Sequence, residues 1–164
     1  MYLLVDYRES EFIKKLSEYT YIENDVLKSI TIGKDEIYFK IVNLQIGDFI
    51  IKEDLENDES INLVIERKTI SDLNSSIKDN RFREQKSRLI DSIKDPNKIC
   101  YLIEGNFFEK KVLQKNIYDG ALLNLLFKHN FKLIQSINTN DTFDKIITLY
   151  KKFKKDEFVK SSSS

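Results

Sequence analysis

The segment of residues 61–89, INLVIERKTISDLNSSIKDNRFREQKSRL, indicates an α/β fold, because an apolar strand pattern leads directly into two polar helix patterns. Its first five residues have the length and apolar character of a buried strand. Side chains alternate along a strand, so Glu66 and Lys68 project to one face and Arg67 to the other. The segment therefore predicts a carboxylate and an ammonium together at the end of a buried strand, with a basic helix following them.

Composition limits the class of protein. The chain has 164 residues, 41% of them hydrophobic and 33% charged, which is typical of one soluble globular domain. The formal net charge is zero, so nucleic-acid binding would depend on local clusters of cations or on metal ions. Cys100 and His129 are the only residues of their types, which excludes an internal disulfide and a Cys/His zinc site.

Location follows from the same composition. A chain with one cysteine is expected in a reducing intracellular compartment. No apolar run is long enough to cross a bilayer, and the N-terminal MYLLVDYRES lacks the basic region of a signal peptide, so no membrane partner is expected.

Strand and helix patterns divide the chain into a single α/β unit. Strand patterns cover YLLVDYR, VLKSITI, IYFKIVNL, QIGDFIIK, INLVIERK, KICYLIEG and FKLIQSI. Helix patterns cover SEFIKKLSEY, TISDLNSSI, RFREQKSRLIDSI, residues 114–129 and DTFDKIITLYKKFKK. This order predicts a central mixed sheet flanked by helices on both faces over residues 1–155. Residues 156–164 are expected to form a disordered tail.

Two carboxylates are predicted to meet at the end of the central strand. Asp48 begins the strand before Glu66, so pairing of the two strands brings it near Glu66, with Lys68 beside them. Two carboxylates suit Mg²⁺, and a lysine there can orient a water or stabilise a pentavalent phosphate. The backbone carbonyl of Arg67 and the carboxylate of Asp6, at the end of the first strand, are further candidate ligands.

The helix that follows carries a polar stripe. Arg81, Gln85 and Arg88 are spaced i, i+4, i+7, so they share one face beside an apolar stripe. The planar guanidinium group donates two hydrogen bonds to a phosphate. The stripe is therefore predicted to bind a nucleic-acid backbone next to Glu66, although most helices with this pattern are simply solvated.

Several of these features also have simpler explanations. A lone Glu-x-Lys is most often a solvated ion pair, and the acidic residues 53–59 form a solvated loop without ligand spacing. His129 is expected to cap a helix end. Four glycines are too few for a phosphate-cradling loop, and there is no nucleophile elbow.

Four ordered motifs resemble the XPF-type nuclease domain of structure-specific endonucleases, a branch of the restriction-endonuclease-like superfamily. They are VDYRE at residues 5–9, GDFII at 47–51, ERKTISD at 66–72, and LNSSI, NRF and EQKSRL within 73–89. The resemblance extends to about Tyr150. Asn80 replaces a glycine that the family often has at this turn, and asparagine tolerates the left-handed conformation.

The resemblance implies roles for individual residues. Asp48 and Glu66 would bind Mg²⁺, with Mn²⁺ as a substitute, and Asp6 would be a third carboxylate acting through water or on a second ion. Lys68 would be the catalytic lysine, supported by Asp72. The residues expected to line the site, with the arginines placed for phosphate or for ion pairs within the site, are Arg8, Glu9, Arg67 and Arg81.

The implied activity is DNA endonuclease cleavage at flaps, forks or other branched structures in repair, replication or recombination. The resemblance also implies a homodimer, or a heterodimer with a related subunit, acting in the nucleus or at a cytoplasmic site of DNA replication. No tandem helix-hairpin-helix module is present, so a partner is expected to supply part of the specificity. Two alternatives stay open: a phosphodiesterase acting on RNA or small nucleotides, and a non-catalytic scaffold for another nuclease.

Overall fold

Seven strands form one mixed sheet in the computed structural model, which describes residues 1–106 and 115–159. Their order across the sheet is β2-β3-β1-β4-β5-β6-β7. Strands β5, β6 and β7 are parallel, β4 is antiparallel to both β1 and β5, and β2 forms a hairpin with β3. The strands are β1 (Tyr2–Asp6), β2 (Lys28–Ile32), β3 (Asp35–Val42), β4 (Phe49–Lys52), β5 (Ile61–Thr69), β6 (Ile99–Glu104) and β7 (Lys132–Ser136).

Helices cover both faces of this sheet and bury one apolar layer on each side. Helices α1 and α5 pack on one face, where Phe12 and Phe143 join the core. Helices α2, α3 and α4 pack on the other, where Leu73, Phe82 and Leu122 join a second core. The helices are α1 (Ser10–Ser17), α2 (Ile70–Lys78), α3 (Arg81–Ser92), α4 (Lys115–Leu123) and α5 (Thr139–Lys154). The predicted α/β sheet with helices on both faces is confirmed.

Strand β5 lies between these two layers, and its alternation places the charged residues. Leu63 and Ile65 enter the α1/α5 core, whereas Val64 enters the α2/α3/α4 core. Continuing this alternation puts Glu66 and Lys68 on the α2/α3 side and Arg67 on the α1/α5 side. The predicted division of these side chains between the two faces is therefore confirmed.

The end of the chain and the fourth helix pattern are only partly within the described residues. Residue 114, where the predicted helix was expected to begin, lies outside them, and α4 is described from Lys115. It continues into a π-helical turn, Asn124–Lys128. Within the predicted tail, the ring centroid of Phe158 lies 4.9 Å from that of Phe153 in an edge-to-face contact. Residues 160–164 lie outside the described range, so the disorder expected for the tail stays a prediction. None of the described helices combines the length and apolar character needed to span a bilayer.

Candidate active site

A cleft of about 290 Å³ opens where β4 begins and β5 ends, under helix α3. Its walls combine charged side chains from the two strands with polar side chains from the helix. The residues that line it are Arg8, Gln45, Ile46, Gly47, Asp48, Glu66, Arg67, Lys68, Gln85, Arg88 and Leu89. The structure thus brings Asp48, Glu66 and Lys68 to one cavity, as the strand pattern predicted.

Asp48 is held at the cleft by backbone contacts on three sides. Its N–H donates to the carbonyl of Ile65 at 2.8 Å, and its carbonyl accepts from the N–H of Asp6 at 2.9 Å. Its Oδ2 accepts from the N–H of Arg67 at 2.7 Å. The preceding Gly47 has φ +69°, and a Cβ there would lie 2.5 Å from Cγ1 of Val64. A glycine is required at this position for both reasons, so the chain enters β4 with Asp48 pointing into the cleft.

Both carboxylates of the cleft have a raised affinity for protons. Burial, and then the charge of Asp48, raises the pKa of Glu66 from 4.5 to about 8, although Lys68 acts in the opposite direction. Burial also raises the pKa of Asp48, with a contribution from the charge of Asp6. Two desolvated carboxylates share one nearby ammonium, so this end of the cleft favours an added cation.

The donors present fit Mg²⁺. Carboxylate oxygens are its preferred protein ligands, and one or two are sufficient because the ion keeps several waters. The Oε1 atom of Gln85, which also lines the cleft, is buried without a hydrogen-bond partner in the described part of the chain. No group of three or more His, Cys, Asp or Glu side chains converges among residues 1–106 and 115–159. Asp48 and Glu66 are the carboxylates that line the cleft, and their role as metal ligands stays a prediction.

Asp6 lies behind the cleft rather than in its wall. Its side chain is fully buried, and Oδ1 accepts from the N–H of Leu44 at 2.9 Å. Oδ2 accepts from the N–H of Arg8 at 3.1 Å and from Nε of Arg8 at 2.7 Å. Burial acts to raise the pKa of Asp6, but the hydrogen bonds from Arg8 and Leu44 outweigh it and lower the pKa overall. In this arrangement Asp6 anchors Arg8 at the cleft, and its role toward a metal stays a prediction.

Lys68 and Asp72 do not form an ion pair in the described part of the chain. Lys68 lines the cleft, where its charge lowers the pKa of both Glu66 and Asp48. Asp72 is exposed in the first turn of α2, and its N–H donates to Oγ1 of Thr69 at 3.1 Å. None of the ion pairs among the described residues joins Asp72 to Lys68, so the structure brings Lys68, but not Asp72, to the carboxylates.

The Arg67 guanidinium group is held on the opposite face of the sheet from Glu66. Nη2 and Nε donate to the two carboxylate oxygens of Glu104 at 2.6 and 3.1 Å, and Nη1 donates to Glu9 at 3.3 Å. Glu104 also accepts from Oγ1 of Thr142 at 2.6 Å. Burial, followed by the charge of Asp48, raises the pKa of Glu9 to about 7. Of the two expectations for Arg67, phosphate contact or an ion pair, the structure places the side chain in the ion pair.

Only two of the three residues of the predicted polar stripe on α3 line the cleft. Gln85 and Arg88 line the cleft. Arg81 instead pairs with Asp79 at 2.7 Å in solvent, outside the cleft. Asn80 between α2 and α3 has φ +69°, the left-handed conformation expected at this turn. The turn therefore survives without glycine, and it directs the last two residues of the stripe toward the carboxylates.

Two residues near the site were not selected from the sequence. Tyr101 faces Glu66 across the β5–β6 ladder, and its hydroxyl is buried without a hydrogen-bond partner in the described chain. Burial and the charges of Glu66 and Asp48 raise the pKa of the Tyr101 phenol. Glu104, the partner of Arg67, ends the same strand. Both lie in the apolar pattern KICYLIEG, where strand parity relative to Glu66 and Arg67 was the signal that could have identified them.

Comparisons with known proteins agree on one family. The sequence model of the ERCC4 domain matches residues 5–149. The chain is 38% identical over 104 residues to a probable crossover junction endonuclease mus81 of Dictyostelium discoideum, covering 62% of this chain and 10% of that protein. It is 28% identical over 112 residues to the 3′-flap repair endonuclease Xpf of Saccharolobus solfataricus, covering 67% of this chain and 43% of that protein.

The fold is shared with a solved structure. XPF from Aeropyrum pernix, in complex with DNA, superposes with a TM-score of 0.62 at 20% sequence identity, over 94% of this chain and 66% of that one. This similarity confirms the predicted fold. The chain spans less than half of the length of each of the two curated relatives.

Proposed function

This chain belongs to the ERCC4 domain family, and from that premise we propose that it is a Mg²⁺-dependent endonuclease that hydrolyses phosphodiester bonds in DNA. The observation that carries the proposal is the cleft in which Asp48 and Glu66 stand together beside Lys68. Burial there raises the pKa of both carboxylates, although the Arg67 N–H and the charges of Lys68, Arg8 and Arg88 act in the opposite direction. Such a site is built for a divalent cation and a phosphate rather than for a neutral ligand.

Each residue of the cleft has a distinct task in this mechanism. Asp48 and Glu66 would hold the ion, which when bound supplies Lewis-acid activation of a water and neutralises phosphate charge. Lys68 would donate hydrogen bonds to the attacking water or to the phosphoryl oxygens as negative charge develops on them. The guanidinium group of Arg88 would contact a neighbouring phosphate along the strand.

The substrate is proposed to be DNA with a junction between single and double strands. The support comes from the relatives, one named a crossover junction endonuclease and another a 3′-flap repair endonuclease. By the same similarity we propose a dimer, with itself or with a related subunit, acting in repair, replication or recombination in the nucleus or at a cytoplasmic replication site. RNA or small nucleotides are the alternative substrates, and a scaffold role is the alternative to catalysis.

The test is cleavage of end-labelled flap, fork, four-way junction and plain duplex DNA, beside single-stranded RNA, with Mg²⁺, Mn²⁺ or EDTA. Asp48→Asn is the informative variant, because it removes the charge and keeps an acceptor for the Arg67 N–H. Asp144→Asn is the matched control, since Asp144 is exposed on α5, across the sheet from the cleft.

We expect metal-dependent cutting of a branched DNA, lost in Asp48→Asn and retained in Asp144→Asn. Cutting of RNA alone would replace the DNA proposal with an RNA phosphodiesterase. Failure of the folded, metal-loaded wild type to cut any substrate, while it stimulates a partner nuclease equally well as Asp48→Asn, would replace it with the scaffold role.

A further inference from the structure

A basic cluster lies on α3 and the π-helical turn after α4, outside the residues that line the cleft. Lys86 lies over the ring of Phe82, with Nζ 4.6 Å from the ring centroid. The ring centroids of Phe82 and Tyr101 are 5.8 Å apart in an edge-to-face contact. Tyr101 stacks on Phe131 with a centroid distance of 5.9 Å, and Phe131 stacks on His129 with a centroid distance of 5.3 Å. One continuous row of rings therefore connects the two elements, with Lys86 at one end and His129 at the other.

The cations of this cluster affect one another. Burial, then Lys128 and Arg83, lowers the pKa of Lys86. Burial, then Lys86 and Lys128, lowers the pKa of His129. Within the described residues, none of the ion pairs within 4 Å includes Arg83, Lys86 or Lys128. In a chain of zero net charge, three cations are thus gathered without an ion-pair partner among the described residues, and their mutual repulsion would be relieved by an external anion.

Helix geometry places this cluster and the cleft-lining residues on different sides of α3. Gln85 and Arg88 are three residues apart and share the side of α3 that lines the cleft. Arg83 and Lys86 are also three residues apart, but at about 100° per residue they lie about 160° around α3 from the first pair. The buried stripe of Phe82 and Leu89 separates the two pairs on the packed side of the helix. A DNA arm that extends from Arg88 to Lys86 and Lys128 would therefore have to pass over the exposed side of α3.

We propose that Arg83, Lys86 and Lys128 form a second phosphate-binding surface, which holds a duplex arm of the DNA outside the active-site cleft. The inference rests on the proposed function for the identity of the polyanion. Cations contributed by two separate elements suit a row of phosphates, since each can neutralise a different phosphate along the backbone. Arg83 and Lys128 are exposed, and Lys86 is partly exposed, so all three are accessible to such a ligand.

The experiment measures binding of a fluorescein-labelled flap DNA by anisotropy in EDTA, across a range of salt concentrations. The test protein carries Lys86→Gln and Lys128→Gln. The matched control carries Lys14→Gln and Lys34→Gln, exposed lysines of α1 and of the β2–β3 turn. Each lost phosphate contact reduces the slope of log affinity against log salt by about 0.9, so we expect a reduction of about 2 in the test protein and none in the control.

A second comparison uses DNA arms of two lengths and a cleavage assay with Mg²⁺. With long arms, KM should rise in the test protein while kcat is unchanged, and with arms too short to leave the cleft, both should match the wild type. A variant that combines Lys86→Arg with Lys128→Gln keeps a cation at position 86, so it should regain half of the salt slope that the test protein loses. An unchanged slope, an equal loss in the control pair, or an equal effect on short arms would overturn the second surface.

These outcomes separate the two proposals. A reduced slope in a protein that cuts no DNA would support the second surface and refute the endonuclease. Normal cutting with a wild-type KM in the test protein would refute the second surface and leave the endonuclease standing.

Discussion

Glu66→Gln should stabilise the metal-free protein at pH 8, although it removes a residue proposed to be essential for activity. In the folded chain the pKa of Glu66 is raised from 4.5 to about 8, first by burial and then by the charge of Asp48. A carboxyl whose folded pKa is raised favours folding below its unfolded pKa, and this contribution is lost as pH rises through the folded value. The wild type should therefore lose stability between about pH 4.5 and pH 8, and glutamine, which never ionises, should not share this loss.

The magnitude follows from the size of the shift. Each pK unit corresponds to about 1.4 kcal/mol, so the free energy of unfolding should fall by on the order of 3 kcal/mol between pH 5 and pH 8 through Glu66 alone. Lys68 loses a favourable partner in the variant, which offsets part of the gain. For a chain of this size, 1 kcal/mol changes Tm by about 2–4 °C, so the difference in Tm between variant and wild type should grow by roughly 6–12 °C over that range.

The assay is thermal unfolding by circular dichroism in EDTA, at intervals from pH 5 to pH 8. Glu9→Gln provides a comparison, because burial and the charge of Asp48 raise the pKa of Glu9 to about 7. The difference in Tm between Glu9→Gln and wild type should therefore stop growing about one pH unit lower than the difference for Glu66→Gln. Glu56→Gln, exposed on the acidic loop, controls for a change of net charge. With Mg²⁺ present, the wild type should have a higher Tm than Glu66→Gln, because an ion that binds only the folded wild type raises its Tm by mass action.

A difference in Tm between Glu66→Gln and wild type that stays constant from pH 5 to pH 8 would contradict a raised pKa of Glu66 in the folded chain. So would a variant that is less stable than the wild type at pH 8 in EDTA. Either result would mean that Glu66 is ionised and satisfied in the metal-free cleft, and that the two carboxylates do not need an added cation.

Two further predictions concern the frame of the site. Gly47→Ala and Gly33→Ala both place a side chain at positive φ, but only the alanine at 47 meets a neighbouring side chain, at 2.5 Å. Urea denaturation should show Gly47→Ala to be the more destabilising of the two by about 1–3 kcal/mol, and equal effects would remove the argument for a required glycine before Asp48. Arg67→Met leaves the buried Glu104 without its guanidinium partner and should cost about 3–5 kcal/mol of unfolding free energy. Arg67→Met combined with Glu104→Leu should recover a large part of that loss, whereas an additive double variant would show that the pair is not coupled.

The positions of Asp48, Glu66 and Lys68 were predictable because they depend on side-chain alternation along a strand and on the pairing of consecutive strands. Strand parity alone separates Glu66 and Lys68 from Arg67, and antiparallel pairing of two consecutive strands brings Asp48 opposite Glu66. The buried character of β5 was equally visible as an unbroken apolar run. These features follow from periodicity and from adjacent elements, which is the part of structure that a sequence pattern encodes directly.

The surroundings of the site were not predictable, because they depend on contacts between distant segments. Arg67 meets Glu9 and Glu104, which are 58 and 37 residues away along the chain. Asp6 is withdrawn from the cleft by Leu44, 38 residues away, as well as by its neighbour Arg8. Such partners are selected by the packing of helices on the sheet, which local patterns do not specify.

The two faces of β5 explain how an unfavourable cleft is kept in a folded protein. On the front, desolvated carboxylates repel each other, and this repulsion opposes folding of the metal-free chain. On the back, the Arg67 guanidinium group is paired with Glu104, which Thr142 of α5 also contacts. The N–H of that same Arg67 holds Oδ2 of Asp48 at 2.7 Å.

The ion pair therefore fixes the backbone at the one residue that also orients the front carboxylate. A site with the proposed function, which holds a cation and a phosphate, could not relieve the repulsion by moving the carboxylates apart, because the binding geometry would then be lost. The cleft carboxylates lower the stability of the fold, and the Arg67–Glu104 ion pair on the other face of β5 compensates for this loss without occupying the cleft. On this argument Arg67→Met should weaken Mg²⁺ binding as well as folding, although the guanidinium group that it removes is bonded to Glu104 and Glu9 rather than to the cleft carboxylates. Calorimetric titration of Mg²⁺ into the folded variant would show unchanged affinity if the two faces were independent.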